Sequence, residues 1–188
     1  WCNSTGNQLI SKETAGGKSV VVIEKGEPKS CNIVTSCEGK GKTFIMFSDD
    51  LDKALATFVL ANGAAATGQK VTIFFTFWGL NVIKKLHKPN VEKDIFGKMF
   101  GMMLPSSSRK LKLSKMSMGG IGGKMMRYIM NRKGIDSLES LRQQALENGV
   151  EFIACQMSMD VMGVKQEELL DEVTIGGVAT YMERADNA

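Results

Sequence analysis

The chain has 188 residues, of which 43% are hydrophobic and 23% charged, enough for one main core with appendages but not for several large domains. No apolar run reaches the roughly 20 residues that a membrane-spanning helix needs, and nothing after Trp1 reads as a secretion signal, as expected for part of a longer polypeptide. The net charge is +4, and the four cysteines match neither a disulfide-dense scaffold nor paired CxxC zinc ligands. A histidine triad or metal cluster would have to be built on His87 alone. The expectation is free thiols in a reducing, cytoplasmic compartment, with no metal, no cofactor and no nucleic-acid partner.

Residues 1–25 read as a short helix end, a turn at Gly16-Gly17 and a β-branched strand from Ser19 to Ile23. About two dozen residues cannot bury a core of their own. The stretch resembles the final part of a TusA-type sulfur-carrier domain. That family's reactive cysteine lies in a Cys-Pro-x-Pro motif absent here, so Cys2 does not inherit its role and the segment reads as a truncated remnant. Residues 26–42 lack periodicity and are rich in glycine, serine and charge, which predicts a linker carrying Cys31 and Cys37.

Residues 43–188 form the predicted main domain. Thr43 to Phe47 is a continuous apolar strand; Ser48-Asp49-Asp50 supplies an N-cap for a helix bearing Leu51, Ala54, Leu55, Phe58 and Val59, ended by Gly68. A second apolar strand runs from Lys70 to Thr76 and ends at Phe77-Trp78-Gly79. Two strands apolar on both faces and joined by a helix predict a parallel sheet covered on both sides.

The middle of the chain is less regular: a short helix at Leu80 to Leu86, an amphipathic methionine-rich run at 94–104, and a helix at Lys124 to Asn131. Between Asp94 and Asp136 there is no acid, while Lys98, Arg109, Lys110, Lys112, Lys115, Lys124, Arg127, Arg132 and Lys133 all fall there. From Asp136 onward acids dominate. This asymmetry points to self-assembly, to an oppositely charged partner, or to a basic segment folding over the acidic part of its own subunit. Residues 95–133 also suit peripheral contact with an anionic membrane. Order returns with a helix capped at Asp136, a strand from Val150 to Ala154 ending on Cys155, a helix at Lys165 to Leu170, a strand at Glu172 to Ile175, the Gly176-Gly177 turn and a closing helix from Val178.

Ligands gather at the carboxyl ends of parallel strands. There the chain delivers Ser48 and Asp49, then Thr76, Phe77, Trp78 and Gly79, then Cys155 with Gln156, Met157 and Ser158, and finally Gly176 and Gly177. If these strands are neighbours, hydroxyls, an indole and backbone N–H groups surround the thiol. Each feature also has a plain structural use: a packed cysteine, helix-capping aspartates, aromatic residues that roof the core, and a glycine turn.

From Lys42 to Ala188 the chain resembles the DsrE/DsrF-like family of sulfur-relay proteins, in the branch often fused to TusA-like and rhodanese-like domains. The resemblance rests on Thr43 to Ser48 with Asp49-Asp50, on Phe77-Trp78-Gly79-Leu80, on the Phe96 to Met103 region, and above all on Ala154-Cys155-Gln156-Met157-Ser158-Met159-Asp160-Val161-Met162-Gly163. It implies an α/β three-layer sandwich with a mainly parallel sheet and helices on both faces, a homo-oligomer, and Cys155 as a persulfide-bearing residue. The expected function is a sulfur carrier or sulfurtransferase working with TusA-like or rhodanese-like proteins. The alternatives are a nucleotide- or anion-binding α/β module and a membrane-surface adaptor.

Overall fold

The computed structural model describes residues 8–15, 18–24, 41–87, 91, 99, 101, 103–115 and 118–188. Two compact units divide the chain, Trp1–Glu38 and Gly39–Ala188. In the first, strands β1 (Gln8–Ala15) and β2 (Lys18–Glu24) form an antiparallel hairpin with a register shift between Leu9 and Ser11. Sequence patterning finds only the second strand, because Lys12-Glu13-Thr14 carries no apolar alternation and is drawn into the ladder by backbone pairing. The expected helix end at residues 1–7 and the linker thiols Cys31 and Cys37 lie outside the described residues, as does most of the methionine-rich run.

The second unit is built on four parallel strands in the spatial order β3 (Lys42–Met46), β4 (Val71–Phe75), β5 (Glu151–Cys155), β6 (Thr174–Gly176). Helix α1 (Leu51–Ala66) buries Leu51, Ala54, Phe58 and Ala61, one stripe at helical spacing, and ends before Gly68, whose φ of +79° glycine adopts without strain. Asp50 is its N-cap residue, but the Asp50 carboxylate does not cap: it accepts from Ser48 Oγ and pairs with Lys53. Helices α2 (Ile121–Arg132) and α3 (Leu138–Glu147) follow. The cap of α3 is Ser137, which accepts from the Ser140 amide at 3.1 Å, rather than the expected Asp136, whose carboxylate takes the Ser140 hydroxyl and the Gln144 amide.

Two local expectations are corrected. A 3₁₀ run over Phe77–Ile83 replaces the helix expected at Leu80 to Leu86, and only Gln166–Glu168 turns where a helix was expected at Lys165 to Leu170. After β5 the chain goes straight into helix α4 (Gln156–Met162), and the closing helix is α5 (Val178–Asp186).

One face of the sheet carries Val71, Ile73, Phe75, Phe152 and Ala154 and packs against α1, α3 and α4; the rings of Phe58, Phe75 and Phe152 sit 5.4–6.4 Å apart. Burying each such ring contributes about 1.5–3 kcal/mol. The opposite face carries Phe74, Ile153 and Cys155 and is crossed by α5, with the Tyr181 ring 5.1 Å from that of Phe74. Residues 41–188 are therefore the three-layer α/β sandwich with a parallel sheet and helices on both faces. No helix among the described residues is long and apolar enough to cross a membrane.

Candidate functional site

Cys155 is the last residue of β5, a strand with β4 on one side and β6 on the other. Strand alternation points its side chain onto the α5 side of the sheet, next to Ile153 and Phe74, and only 2% of its surface is exposed. It is also the N-cap residue of α4, yet its sulfur makes no capping hydrogen bond. Rigid placement comes from three sources: the β5 ladder, the register of Cys155 with Gly176, and the immediate start of α4.

Thr76 and Ser158 meet. Their hydroxyls lie 2.8 Å apart, linking the end of β4 to the first turn of α4, while the Thr76 amide donates to the Met46 carbonyl at 2.9 Å. Ser158 is fully buried, so this contact is its only visible use for a hydroxyl in the core. Gly176 sits beside the thiol because a Cβ there would come within 2.9 Å of Ile153 Cγ2 and 3.1 Å of Thr180 Cβ. Gly177 is the N-cap residue of α5 and faces open space.

The other residues predicted for the site form a second group. Asp49 accepts from the Asn81 amide at 3.0 Å, and Ser48 is engaged with Asp50. Gly79 lies against the Met46 carbonyl so closely that a Cβ would stand 2.7 Å from the carbonyl carbon. Phe77 has a φ of +46°, uncommon for a bulky residue, and this turn throws Phe77 and Trp78 outward, with Trp78 47% exposed. Asp49, Asp50 and Trp78 line a cleft of about 740 Å³ with Ser106, Lys110 and Lys112, and Cys155 is not among its lining residues. Gln156 turns away altogether, donating to Asp160 at 2.9 Å along α4, and Met157 projects into solvent.

Sequence reading misses Tyr181, Phe74 and Asn81. Tyr181 carries the roof over the thiol's face of the sheet, and its hydroxyl donates to Thr43 Oγ1 at 3.3 Å, 138 residues away in sequence. Its place three residues into the closing helix, after Val178, was the available signal. Asn81 is fully buried and holds Asp49, which an isolated asparagine in an apolar run does not announce. The methionines after Cys155 divide: Met159 and Met162 enter the core beneath the opposite face, and Met157 does not.

Among the described residues, no group of three or more His, Cys, Asp or Glu side chains is placed to hold a metal ion. The arrangement offers a thiol on a rigid strand end in register with Gly176, while the Thr76 and Ser158 hydroxyls at the ends of the same strands bond to each other.

Known proteins with similar sequences share most of this unit. The chain is 44% identical over 147 residues to "Uncharacterized protein YrkE" of Bacillus subtilis (strain 168), covering 78% of this chain and 92% of that protein. It is 39% identical over 152 residues to "Sulfur carrier protein DsrE2" of Allochromatium vinosum, covering 79% and 94% respectively. The crystal structure of the ychN protein from E. coli aligns with a TM-score of 0.44 at 10% identity, over 79% of this chain and 95% of that one. Residues 39–188 match the model of the DsrE/DsrF/DrsH-like family, and the chain belongs to that family.

Proposed function

We propose that the protein is a sulfur carrier that holds sulfane sulfur as a persulfide on Cys155 and hands it to a thiol of a partner protein. The observation that carries this reading is the position of Cys155: a free thiol ending the strand between β4 and β6, where the Thr76, Ser158 and Gly176 elements converge. The relative named as a sulfur carrier, alike over most of its length, supports it. In the first step the Cys155 thiolate attacks the sulfane sulfur of a donor persulfide. An S–S bond forms to Cys155, and the donor leaves as its thiolate. In the second step an acceptor thiolate attacks the outer sulfur and Cys155 leaves as thiolate, so the exchange is redox-neutral and needs no external oxidant. Such a transfer requires no general base beyond solvent, in keeping with a site that presents hydroxyls rather than histidine.

With 2% of its surface exposed, Cys155 exchanges sulfur only after its cover moves. The element that covers its face of the sheet, α5, is the one that must yield. TusA-like and rhodanese-like proteins are the proposed partners, and a homo-oligomer in the cytoplasm is the proposed working form. The test is mass spectrometry of the intact chain after incubation with polysulfide or with a persulfidated donor. Sulfur addition is expected on wild-type protein and on variants of Cys2, Cys31 and Cys37, with loss in Cys155→Ser; equal addition in Cys155→Ser sinks the assignment.

A further inference from the structure

Helix α2 has an apolar face turned to water. Its large apolar residues Ile121, Met125, Tyr128 and Ile129 stand at i, i+4, i+7 and i+8, the spacing of one helical face, and all are exposed, Ile121 to 64% and Tyr128 to 63%. The side turned to the protein carries Gly122, Gly123 and Met130. Gly123 is there because a Cβ would come within 3.1 Å of the Leu111 carbonyl oxygen. Arg127 also turns inward, to Glu139 at 3.1 Å and to the Ser108 carbonyl at 2.9 Å. The inward side also packs Met126 against the core and buries Met130, yet a second apolar face of isoleucine, methionine and tyrosine stays open to water. Met118 before it and Ile135 after it are exposed as well.

The charges along the helix are mostly basic, with Asp136 the first acid beyond it. Lys124, Arg132 and Lys133 are exposed on and just beyond the helix, and Arg109, Lys110, Lys112 and Lys115 are exposed in the segment before it. Of the carboxylates on elements packed nearby, Glu139 is paired with Arg127, while Asp136, bonded to Ser140 and Gln144, and Asp52, bonded to Ser114, keep their negative charge and are outnumbered by the seven exposed cations. The Arg132 guanidinium stands over the Tyr128 ring, 6.0 Å from its centre, so a cation lies directly against the apolar strip.

We propose that α2 is an interfacial anchor that lays this strip on an anionic membrane surface. Apolar residues on an exposed helix face, ringed by lysine and arginine with no acid between Asp94 and Asp136, match a leaflet that is apolar inside and negatively charged at its headgroups. A protein partner fits less well, since the fully buried centre of a protein interface is depleted in lysine. The described residues contain no spanning helix, so the contact is one of lying on the membrane rather than crossing it. It is independent of Cys155 and confines whatever that thiol does to a surface.

Cosedimentation of the full chain with vesicles tests this. Binding is expected to phosphatidylcholine vesicles containing phosphatidylglycerol, with weak or no binding to phosphatidylcholine alone, and a drop of tenfold or more in about 0.5 M salt, where the Debye length is a few ångströms. The variant Ile121→Ser/Met125→Ser/Tyr128→Ser is expected to lose about tenfold or more in partitioning. Lys124→Glu/Lys133→Glu, at exposed positions that leave packing untouched, is expected to lose a similar amount, about fivefold per lysine removed from the surface. Failure of wild-type protein to bind anionic vesicles overturns the proposal, and so does unchanged binding by the charge-reversed variant. It is equally overturned if the serine variant lowers the molar mass in light scattering while vesicle binding persists, because a second copy of the chain then covers α2.

Discussion

Ser158 and Thr76 share one hydrogen bond, with Ser158 fully buried and Thr76 half-buried, so the Ser158 hydroxyl is the one left unsatisfied when its partner is removed. Ser158→Ala is expected to cost about 1 kcal/mol, read from denaturant midpoints, and Thr76→Val about the same. The double variant should cost less than the sum, because the second change leaves nothing unpaired. A full additive loss would mean that the two hydroxyls do not act as a pair. Asp52 offers a pH readout. Burial alone would raise its pKa, but the hydrogen bonds from the Ser114 hydroxyl and amide, its own amide and nearby Lys53 outweigh that and hold it below the ordinary aspartate value. A carboxylate with a lowered folded pKa stabilises fully above the unfolded value of about 4 and loses that contribution as pH falls through the folded one. Ser114→Ala should therefore lower Tm at neutral pH and flatten its decline below about pH 4; an unchanged acid limb would contradict the assignment. At this scale Cys155, Thr76 and Ser158 were legible as polar residues at apolar strand ends. Tyr181 and Asn81 were not, since their roles depend on partners 138 and 32 positions distant.

Among the elements, the Phe77–Ile83 turn is held by two contacts that invite substitution. Gly79 lies on the Met46 carbonyl, so Gly79→Ala must push the turn off β3; the expected cost is about 1–3 kcal/mol, or a Tm lower by roughly 3–10 °C. A variant as stable as wild type would mean that the contact relaxes freely. Arg142, buried on α3, donates to the carbonyls of Val82 at 2.8 Å and Lys84 at 3.3 Å, fastening the helix to the end of the same turn. Burial holds its pKa below the ordinary arginine value, with Glu139 and Glu172 opposing. Arg142→Met keeps the volume but strands two carbonyls, and should cost about 1–3 kcal/mol with a shift in Trp78 fluorescence as the turn loosens. Strands β3, β4 and β5 and helices α1 and α3 were readable because runs apolar on both faces and stripes at i, i+3 and i+7 have few alternatives. The 3₁₀ stretch and α4 were harder to read: seven residues give too short a period to separate one helical form from another.

For residues 39–188 as a whole, chain order and sheet order coincide, β3 to β6 without reversal. Right-handed crossovers that step the same way each time set their helices on one face, and α1, α3 and α4 all pack there. The sheet thus has no point where strand order turns back to open a crevice, and Cys155 lies at a strand end without one. The sequence showed that the strands were parallel, but their spatial order follows from which faces found partners. Among the described residues, α5 alone crosses the other face. Ile45 is left 51% exposed there, and Phe47, Val178 and Met182 are open as well. If another copy of the chain covers those side chains, dilution removes that cover. Tm should then climb with protein concentration, by an amount that mass action sets, and the slope should vanish in Ile45→Thr/Met182→Thr.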